Sequence, residues 1–256
     1  MKKRIGIIGS TGRVGSILKQ AIIKNNNYEL GKDFSSDKEY NLEDVFLEND
    51  FLIDFSSSKL IRNIFSELLK NPRPIALCTT GWNQADYKEE LDILRKKIPI
   101  VISPNTSLGA NIQHYLVSTL SKILDNDYDI DITEKHHRNK IDLPSGTALS
   151  LINTIKKVKK DCFDIDYNAK SIDQGPRPDH LIEICVNRSG NLPGEHEVVF
   201  TNSSESISIK HTAFSRDLFV SGAIKIIEWM DLKPKPGLYS MLDVLNLTDI
   251  NNKHAK

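Results

Sequence analysis

The chain is expected to be α/β, with a doubly wound parallel sheet followed by a second, α+β unit built on a mostly antiparallel sheet. Three observations predict this. Short apolar runs alternate with helix-periodic stretches from Lys3 to Ile102. A glycine-rich turn follows the first of those runs. After Pro104 the pattern changes to longer strand-like segments around a charged loop.

The elements follow in order. Residues 3–8 (KRIGII) form a strand, and Val14, Ile17, Leu18, Ala21 and Ile22 recur at helical spacing over 13–24. Asn25, Asn26 and Asn27 end that helix, and a short strand is expected near 28–33. Strands at 51–55, 74–78 and 98–102 alternate with helices at 59–69 and 84–96. A long helix near 108–124 leads to a strand at 128–134, the loop HHRNKIDLPSG and a helix at 146–160. The segments IEICVNRSG, HEVVFTN and SISIKHTA predict strands between 163 and 212. Helix returns at 217–230, and a Pro-rich turn from Lys233 to Gly237 precedes a last short helix. The domain reading is therefore 1–107 with 217–256, and 108–216 inserted.

Bulk properties narrow the function. The 256 residues suffice for two modest domains with their own cores. Lysine and arginine number 34 and so do aspartate and glutamate, so the basic excess of a nucleic-acid binder is missing. Each apolar run falls short of the roughly 18 residues a membrane span needs, so no membrane partner is expected. The opening MKKRIGIIGS is too short and too glycine-broken for a signal peptide. Cys78, Cys162 and Cys185 are sparse, scattered and odd in number, which suits a reducing compartment and a cytoplasmic location.

Two stretches carry chemistry. The first is Gly9-Ser10-Thr11-Gly12-Arg13-Val14-Gly15, lying between a strand and a helix. Glycine there permits a tight turn and close backbone approach to a pyrophosphate, and the helix N-terminus attracts the anion. The spacing is G-x-x-G-x-x-G, and no Lys-Ser/Thr pair follows to make a P-loop. This is the entrance to a Rossmann-like nucleotide site. An acid about 20 residues further on should hold the ribose hydroxyls. Asp33 is the candidate, whereas Ser35, Ser36 and Lys38 offer a 2′-phosphate site, so both NADH and NADPH stay open.

The second stretch runs from Glu134 to Ala148 (EKHHRNKIDLPSGTA). His136 and His137 can handle protons near neutral pH, and Lys140 can bind a carboxylate or act as an acid. On a strand, adjacent histidines would face opposite ways; on a loop, both can reach one cleft. Pro144-Ser145-Gly146-Thr147 opens a helix whose N–H groups at Gly146 and Thr147 suit an anion, a substrate carboxylate being the natural occupant. Zinc is a weaker reading, since no second cluster supplies ligands at familiar spacing, and no metal is expected.

The segment EKHHRNKIDLPSGTA closely resembles the E-x-H-H-x-x-K-x-D-x-P-S-G-T-A signature of the dihydrodipicolinate reductases. RIGIIGSTGRVGS, LIDFS, TTGW, SPNTSLGANI, GEHEVVF and HTAFSRDLFVSGAI resemble further segments of that family, so the likeness covers most of the chain. The resemblance implies nicotinamide-dependent reduction of a cyclic imine dicarboxylate in lysine (diaminopimelate) biosynthesis. It implies His136 as proton donor/acceptor, Lys140 as proton donor or substrate anchor, His137 in substrate binding, and Gly146 and Thr147 on a substrate carboxylate. It further implies Gly9, Ser10, Thr11, Gly12, Arg13 and Val14 around the pyrophosphate. Cys78, Thr79 and Thr80, with Ser103, Pro104, Asn105 and Thr106, would border the nicotinamide and its ribose. A homotetramer through the second domain's sheet is implied, as is closure of the domains about hinges near 106–108 and 215–218. The chain departs from the family pattern at Cys78 (often Gly) and Thr106 (often aromatic). The family's acid falls nearer Ser35 than Asp33, and the Phe34–Phe51 connection is short. All these departures lie on the cofactor side. The readings left beside this one are another NAD(P)-dependent dehydrogenase on the same scaffold and a catalytically silent nucleotide-binding regulator.

Overall fold

The computed structural model describes residues 2–35, 41–159, 163–167 and 175–248. Ser36, Lys38 and Cys162 fall outside these residues. The chain forms two compact units, one of residues 1–108 with 217–256 and the other of 109–216.

The first unit is a six-stranded parallel sheet. Its strands are β1 (Lys3–Ile8), β2 (Tyr28–Leu30), β3 (Phe51–Asp54), β4 (Ile75–Leu77), β5 (Pro99–Ile102) and, late in the chain, β11 (Gly237–Tyr239). The spatial order is β11-β5-β4-β3-β1-β2. Neighbouring residues of one strand point to opposite faces, and both faces are buried. Ile5, Ile7, Phe51, Ile53, Ala76 and Val101 pack beneath helices α1 (Gly15–Ile23) and α7 (Asp217–Asp231). Ile8, Leu52, Ile75, Leu77 and Ile100 pack beneath α2 (Leu42–Glu48), α3 (Ile61–Lys70) and α4 (Lys88–Leu94). This is why the strands are near-continuous apolar runs rather than alternating ones.

Two elements escaped the sequence reading. Helix α2 is only seven residues long, and its signal is a cap: the Asn41 side chain accepts a hydrogen bond from the Asp44 amide. Strand β11 looks like part of a Pro-rich turn and becomes a strand only by pairing with β5.

The second unit holds α5 (Leu108–Ile123), α6 (Gly146–Val158) and a five-stranded sheet in the order β10-β9-β6-β8-β7. The strands are β6 (Asp129–His136), β7 (Asp164–Tyr167), β8 (Leu181–Arg188), β9 (Gly194–Thr201) and β10 (Ser206–Ala213). β9 is antiparallel to both β6 and β10, as expected, but β8 is parallel to β6 and to β7, so the sheet is mixed. Helix α6 supplies the crossover a parallel partner for β6 requires. One face, with Ile130, Ile132, Ile182, Ile184, Val198 and Phe200, packs on Val117 of α5 and Leu151, Ile152 and Ile155 of α6. Among the described residues, no helix is long and apolar enough to cross a membrane.

Candidate active site

The first unit brings its candidate residues to one edge. β1, β3, β4 and β5 all end at that edge, followed by residues 9–14, 55–57, 78–80 and 103–106 respectively. β1 lies between β2 and β3, the point where the chain's winding direction reverses and where open α/β sheets bind ligands. The turn after β1 needs its glycines. Gly9 has φ +88, and a Cβ there would lie 2.6 Å from the Phe55 carbonyl oxygen. A Cβ on Gly15 would lie 2.1 Å from the Gly9 carbonyl oxygen. The Gly9 and Ser10 amides donate to the Phe34 carbonyl and the Gly12 amide to that of Gly9. These three amides thus build the cradle, and the entrance of α1, where Val14 makes no side-chain cap, remains as the anion-attracting element.

The other cofactor-side candidates are ordered by hydrogen bonds. Asp33 is 5 % exposed and its carboxylate takes a 3.0 Å bond from Lys19. Ser35 is buried nearby in sequence. Cys78 and Thr79 are buried and Thr80 is exposed. Burial pushes the Cys78 thiol well above its ordinary range, and Asp54 adds to that shift. Ser103 donates to the Asn105 carbonyl at 2.9 Å, and Pro104 between them is exposed. Thr106, where an aromatic is common, is buried and donates to the Phe219 carbonyl at 2.7 Å. Asp54, fully buried at the end of β3, accepts from the amide (2.9 Å) and hydroxyl (2.5 Å) of Ser56, which shapes the same edge.

The second unit's site grows out of its core. Along β6 the buried positions are Ile130, Ile132, Glu134 and His136. On β9 they are Phe200, Val198, His196 and Gly194, and β8 contributes Ile182, Ile184, Val186 and Arg188 to the same face. The register sets Glu134 opposite His196 and His136 beside Arg188. Three apolar stripes therefore all turn polar at one end. The N-terminus of α6 adjoins that end, since the Ser145 amide donates to Glu134 Oε2 at 3.0 Å.

Glu134 is fully buried, so its charge must be compensated. Arg188 Nη2 holds its Oε1 at 2.9 Å and also donates to the Asp142 carbonyl. Burial pushes the Glu134 carboxyl up, but the bonds from Ser145 and Arg188 outweigh that and hold it below its usual range. Burial lowers His136 to about 4, with Lys140 and Arg188 reinforcing and Glu134 opposing. Burial likewise lowers His196 to about 3. Both rings are neutral near pH 7. His136 Nδ1 lies 3.9 Å from Glu134, is buried and has no hydrogen-bond partner.

β6 runs two residues further than expected. His136 thus obeys the strand's alternation and points inward, while His137 leaves the strand half-exposed, its amide donating to the Leu192 carbonyl. Lys140 Nζ sits 2.8 and 2.9 Å from the two Asp142 oxygens, and this bond holds the Asp142 carboxyl low. Ser145 caps α6 by accepting from the Ala148 amide, leaving Gly146 exposed and Thr147 half-exposed at the helix mouth. A Cβ on Gly146 would meet nothing within 4 Å, so space lies open there.

Among the described residues, ligand atoms of Glu134, His136 and His196 approach one another within 4.8 Å, a spacing a metal could use. Both Glu134 oxygens, however, already accept from Arg188 and Ser145. The cations Arg188 and Lys140 beside the cluster suit an anion better. Glu134, Ser145, Arg188 and His196 were absent from the sequence-derived site. Glu134 and Ser145 lie within the EKHHRNKIDLPSGTA string and His196 within GEHEVVF, but only sheet pairing shows that they meet.

A nucleotide-type cradle on a parallel sheet, with a cationic, proton-handling cluster in an α+β unit, defines a nicotinamide-dependent oxidoreductase. Comparison narrows this. Residues 3–106 match the family model described as dihydrodipicolinate reductase, N-terminus, and 109–245 match that described as dihydrodipicolinate reductase, C-terminus. The chain belongs to the dihydrodipicolinate reductase family. It is 41% identical to the 4-hydroxy-tetrahydrodipicolinate reductase of Chlamydia abortus, covering 92% of this chain and 96% of that one. It is 40% identical to that of Buchnera aphidicola subsp. Cinara cedri, covering 95% and 97%. A solved dihydrodipicolinate reductase from Paenisporosarcina sp. TG-14 with dipicolinate bound superposes with TM-score 0.78 at 22% identity, covering 94% and 98%, which shows the shared fold. A myo-inositol 2-dehydrogenase from Lactobacillus plantarum shares the fold at TM-score 0.60 and 9% identity, covering 92% and 91%.

Proposed function

We propose that the chain reduces 4-hydroxy-tetrahydrodipicolinate to tetrahydrodipicolinate in lysine (diaminopimelate) biosynthesis, with NADH or NADPH as reductant. The observation that carries this reading is the cluster at the end of β6, where Glu134 joins Arg188 and the α6 N-terminus, with His136 and Lys140 close by. A bound reduced nicotinamide supplies a hydride to an electron-poor ring carbon, and the substrate loses water to become conjugated. The chain's own work is to hold the dianion and to deliver one proton. Gly146 and Thr147 amides bind one carboxylate at the mouth of α6. Lys140 exchanges its bond with Asp142 for one to the substrate, and His137 adds a contact. His136, neutral before binding, gains proton affinity when two negative charges arrive beside it, and with Lys140 it protonates the enamine nitrogen or carbon left by hydride addition.

On the cofactor side, the residues fit a dinucleotide. The Gly9–Val14 turn would hold the pyrophosphate, the 78–80 and 103–106 loops would border the nicotinamide and its ribose, and Asp33 would hold the adenine ribose. Because Lys19 already compensates Asp33, a 2′-phosphate meets less repulsion and NADPH is usable as well as NADH. Residues 1–107 with 217–256 would serve the nucleotide and 108–216 the substrate and assembly. The face of the second sheet opposite its core carries Glu183, Cys185, Glu195, Glu197 and Val199, all partly exposed. Copies associate there as a tetramer, and the enzyme works in the cytoplasm.

The test is a coupled absorbance assay in which dihydrodipicolinate synthase generates the unstable substrate in place. Protein-dependent loss of NADH or NADPH absorbance is expected, and the ratio of the two rates gives the preference. No oxidation of either cofactor by folded protein that binds nucleotide would overturn the reading.

A further inference from the structure

The established family logic leaves a buried histidine on the neighbouring strand without a task. His196 is 4 % exposed and sits opposite Glu134 in the register. Its backbone is fastened from another element, the Gln113 side chain of α5 donating to the His196 carbonyl at 2.7 Å. Its Nε2 lies 3.0 Å from Ser145 Oγ and 3.8 Å from Glu134 Oε2. The ring meets that of His136 edge to face, with centroids 5.0 Å apart.

A serine hydroxyl has one hydrogen to give and two lone pairs to fill. One lone pair of Ser145 Oγ already accepts the Ala148 amide. What His196 offers decides the rest. Glu134 is ionised and held by Arg188, so a negative oxygen stands on the Nε2 side of the ring and favours the tautomer with its hydrogen on Nε2. Nε2–H then fills the second lone pair, and the hydroxyl retains only its own hydrogen to give. Ser145 is the N-cap of α6, next in sequence to Gly146, where a Cβ would meet nothing within 4 Å.

We propose that His196 is a positioning residue: through Nε2–H it makes the Ser145 hydroxyl an obligate donor at the α6 N-terminus, which selects a carboxylate there. The role rests on the functional reading above, because the anion it serves is the substrate's. The device also explains why a polar side chain stands on the inward face of β9 two residues before Val198.

Three measurements on the full-length chain test it. The probe is dipicolinate, a planar dicarboxylate, titrated calorimetrically against wild type, His196→Phe and His196→Gln. In His196→Phe the hydroxyl keeps its hydrogen but loses the bond that fixes its direction, so about 5-fold weaker dipicolinate binding and a similarly raised KM are expected. kcat should change less than about 3-fold and nucleotide affinity should not change, since uniform binding is what is removed. The Gln amide nitrogen replaces the donor, so His196→Gln should stay within about 3-fold of wild type. Adding His196→Phe to Ser145→Ala should cause no loss beyond that of Ser145→Ala alone, because His196 acts only through that hydroxyl. Nitrogen-15 NMR of the imidazoles in unmodified protein reads the tautomer directly and does not depend on any variant folding. An Nδ1–H tautomer at His196 would overturn the role. So would a folded His196→Phe protein with wild-type dipicolinate affinity, or additive losses in the double variant. Wild-type protein that fails to bind dipicolinate or oxidise NAD(P)H overturns the functional reading itself, whereas wild-type binding with an unaffected Phe variant removes only His196.

Discussion

The two units build their candidate anion sites by different means. The parallel sheet does it with backbone: a left-handed Gly9, a Gly15 pressed on the Gly9 carbonyl, and the start of α1. The mixed sheet does it with side chains: a buried glutamate fixes an arginine and a helix end, and two neutral histidines and a lysine stand around them. A backbone cradle tolerates changes in its side chains, and the departures from the family pattern at Cys78 and Thr106 fall on that side. Thr106 even finds a replacement partner in the Phe219 carbonyl. A side-chain cluster that shares one buried carboxylate has no such freedom, and its signature is intact.

Substitutions that strike one unit should spare the other's ligand, and this can be broken experimentally. The largest effect is expected at His136. His136→Gln should lower turnover about a hundred- to ten-thousand-fold, while nucleotide titration shows unchanged affinity; retained turnover would remove the proton role. Next is Glu134→Gln, which leaves the Arg188 charge without its buried partner. About 3 kcal/mol of stability should be lost, read as a melting temperature lower by roughly 5–10 °C, and dipicolinate binding should fall with it. An unchanged melting curve would mean that the carboxylate does not organise the cluster.

Gly15→Ala is the converse. Its Cβ would press on the Gly9 carbonyl, at a cost of about 2 kcal/mol, so nucleotide binding should weaken at least tenfold. Dipicolinate titration should remain as in wild type, and a loss of both ligands together would dissolve the contrast between the units. A further effect is a slope with pH. His136 and His196 sit at about 4 and about 3, below the ordinary 6.5. Between pH 6.5 and those values the unfolded chain binds protons that the folded chain refuses, so stability falls as pH falls through that window. The groups facing His136 are Glu134, Lys140, Arg188, Asp142 and His196, and those facing His196 are His136, Glu134, His211 and His114. Glu134, itself held low, adds to the loss at the acid end. Chemical denaturation at stepped pH should show the slope, and His136→Gln should make it shallower while His196 and Glu134 keep the rest.

The chain's own letters determined a good deal. Alternating apolar runs specified the parallel sheet, because a strand buried on both faces admits few polar residues. The glycine spacing before α1 specified the tight turn after β1, because only glycine fits a left-handed residue against a neighbouring carbonyl. The string from Glu134 to Ala148 specified the chemistry, because its charged residues, cap and helix start are contiguous. Local signals failed where the cause was distant. β11 is a strand only because β5 lies beside it. β8 runs parallel to β6 because α6 carries the chain back across the sheet. His136 points inward rather than into a loop because β6 keeps pairing with β8 as far as Arg188. Above all, the meeting of Glu134, Arg188 and His196 joins β6 to the pair β8 and β9 much further along the chain. Register, not composition, sets such pairs, and register is decided by which face of each strand the whole core buries.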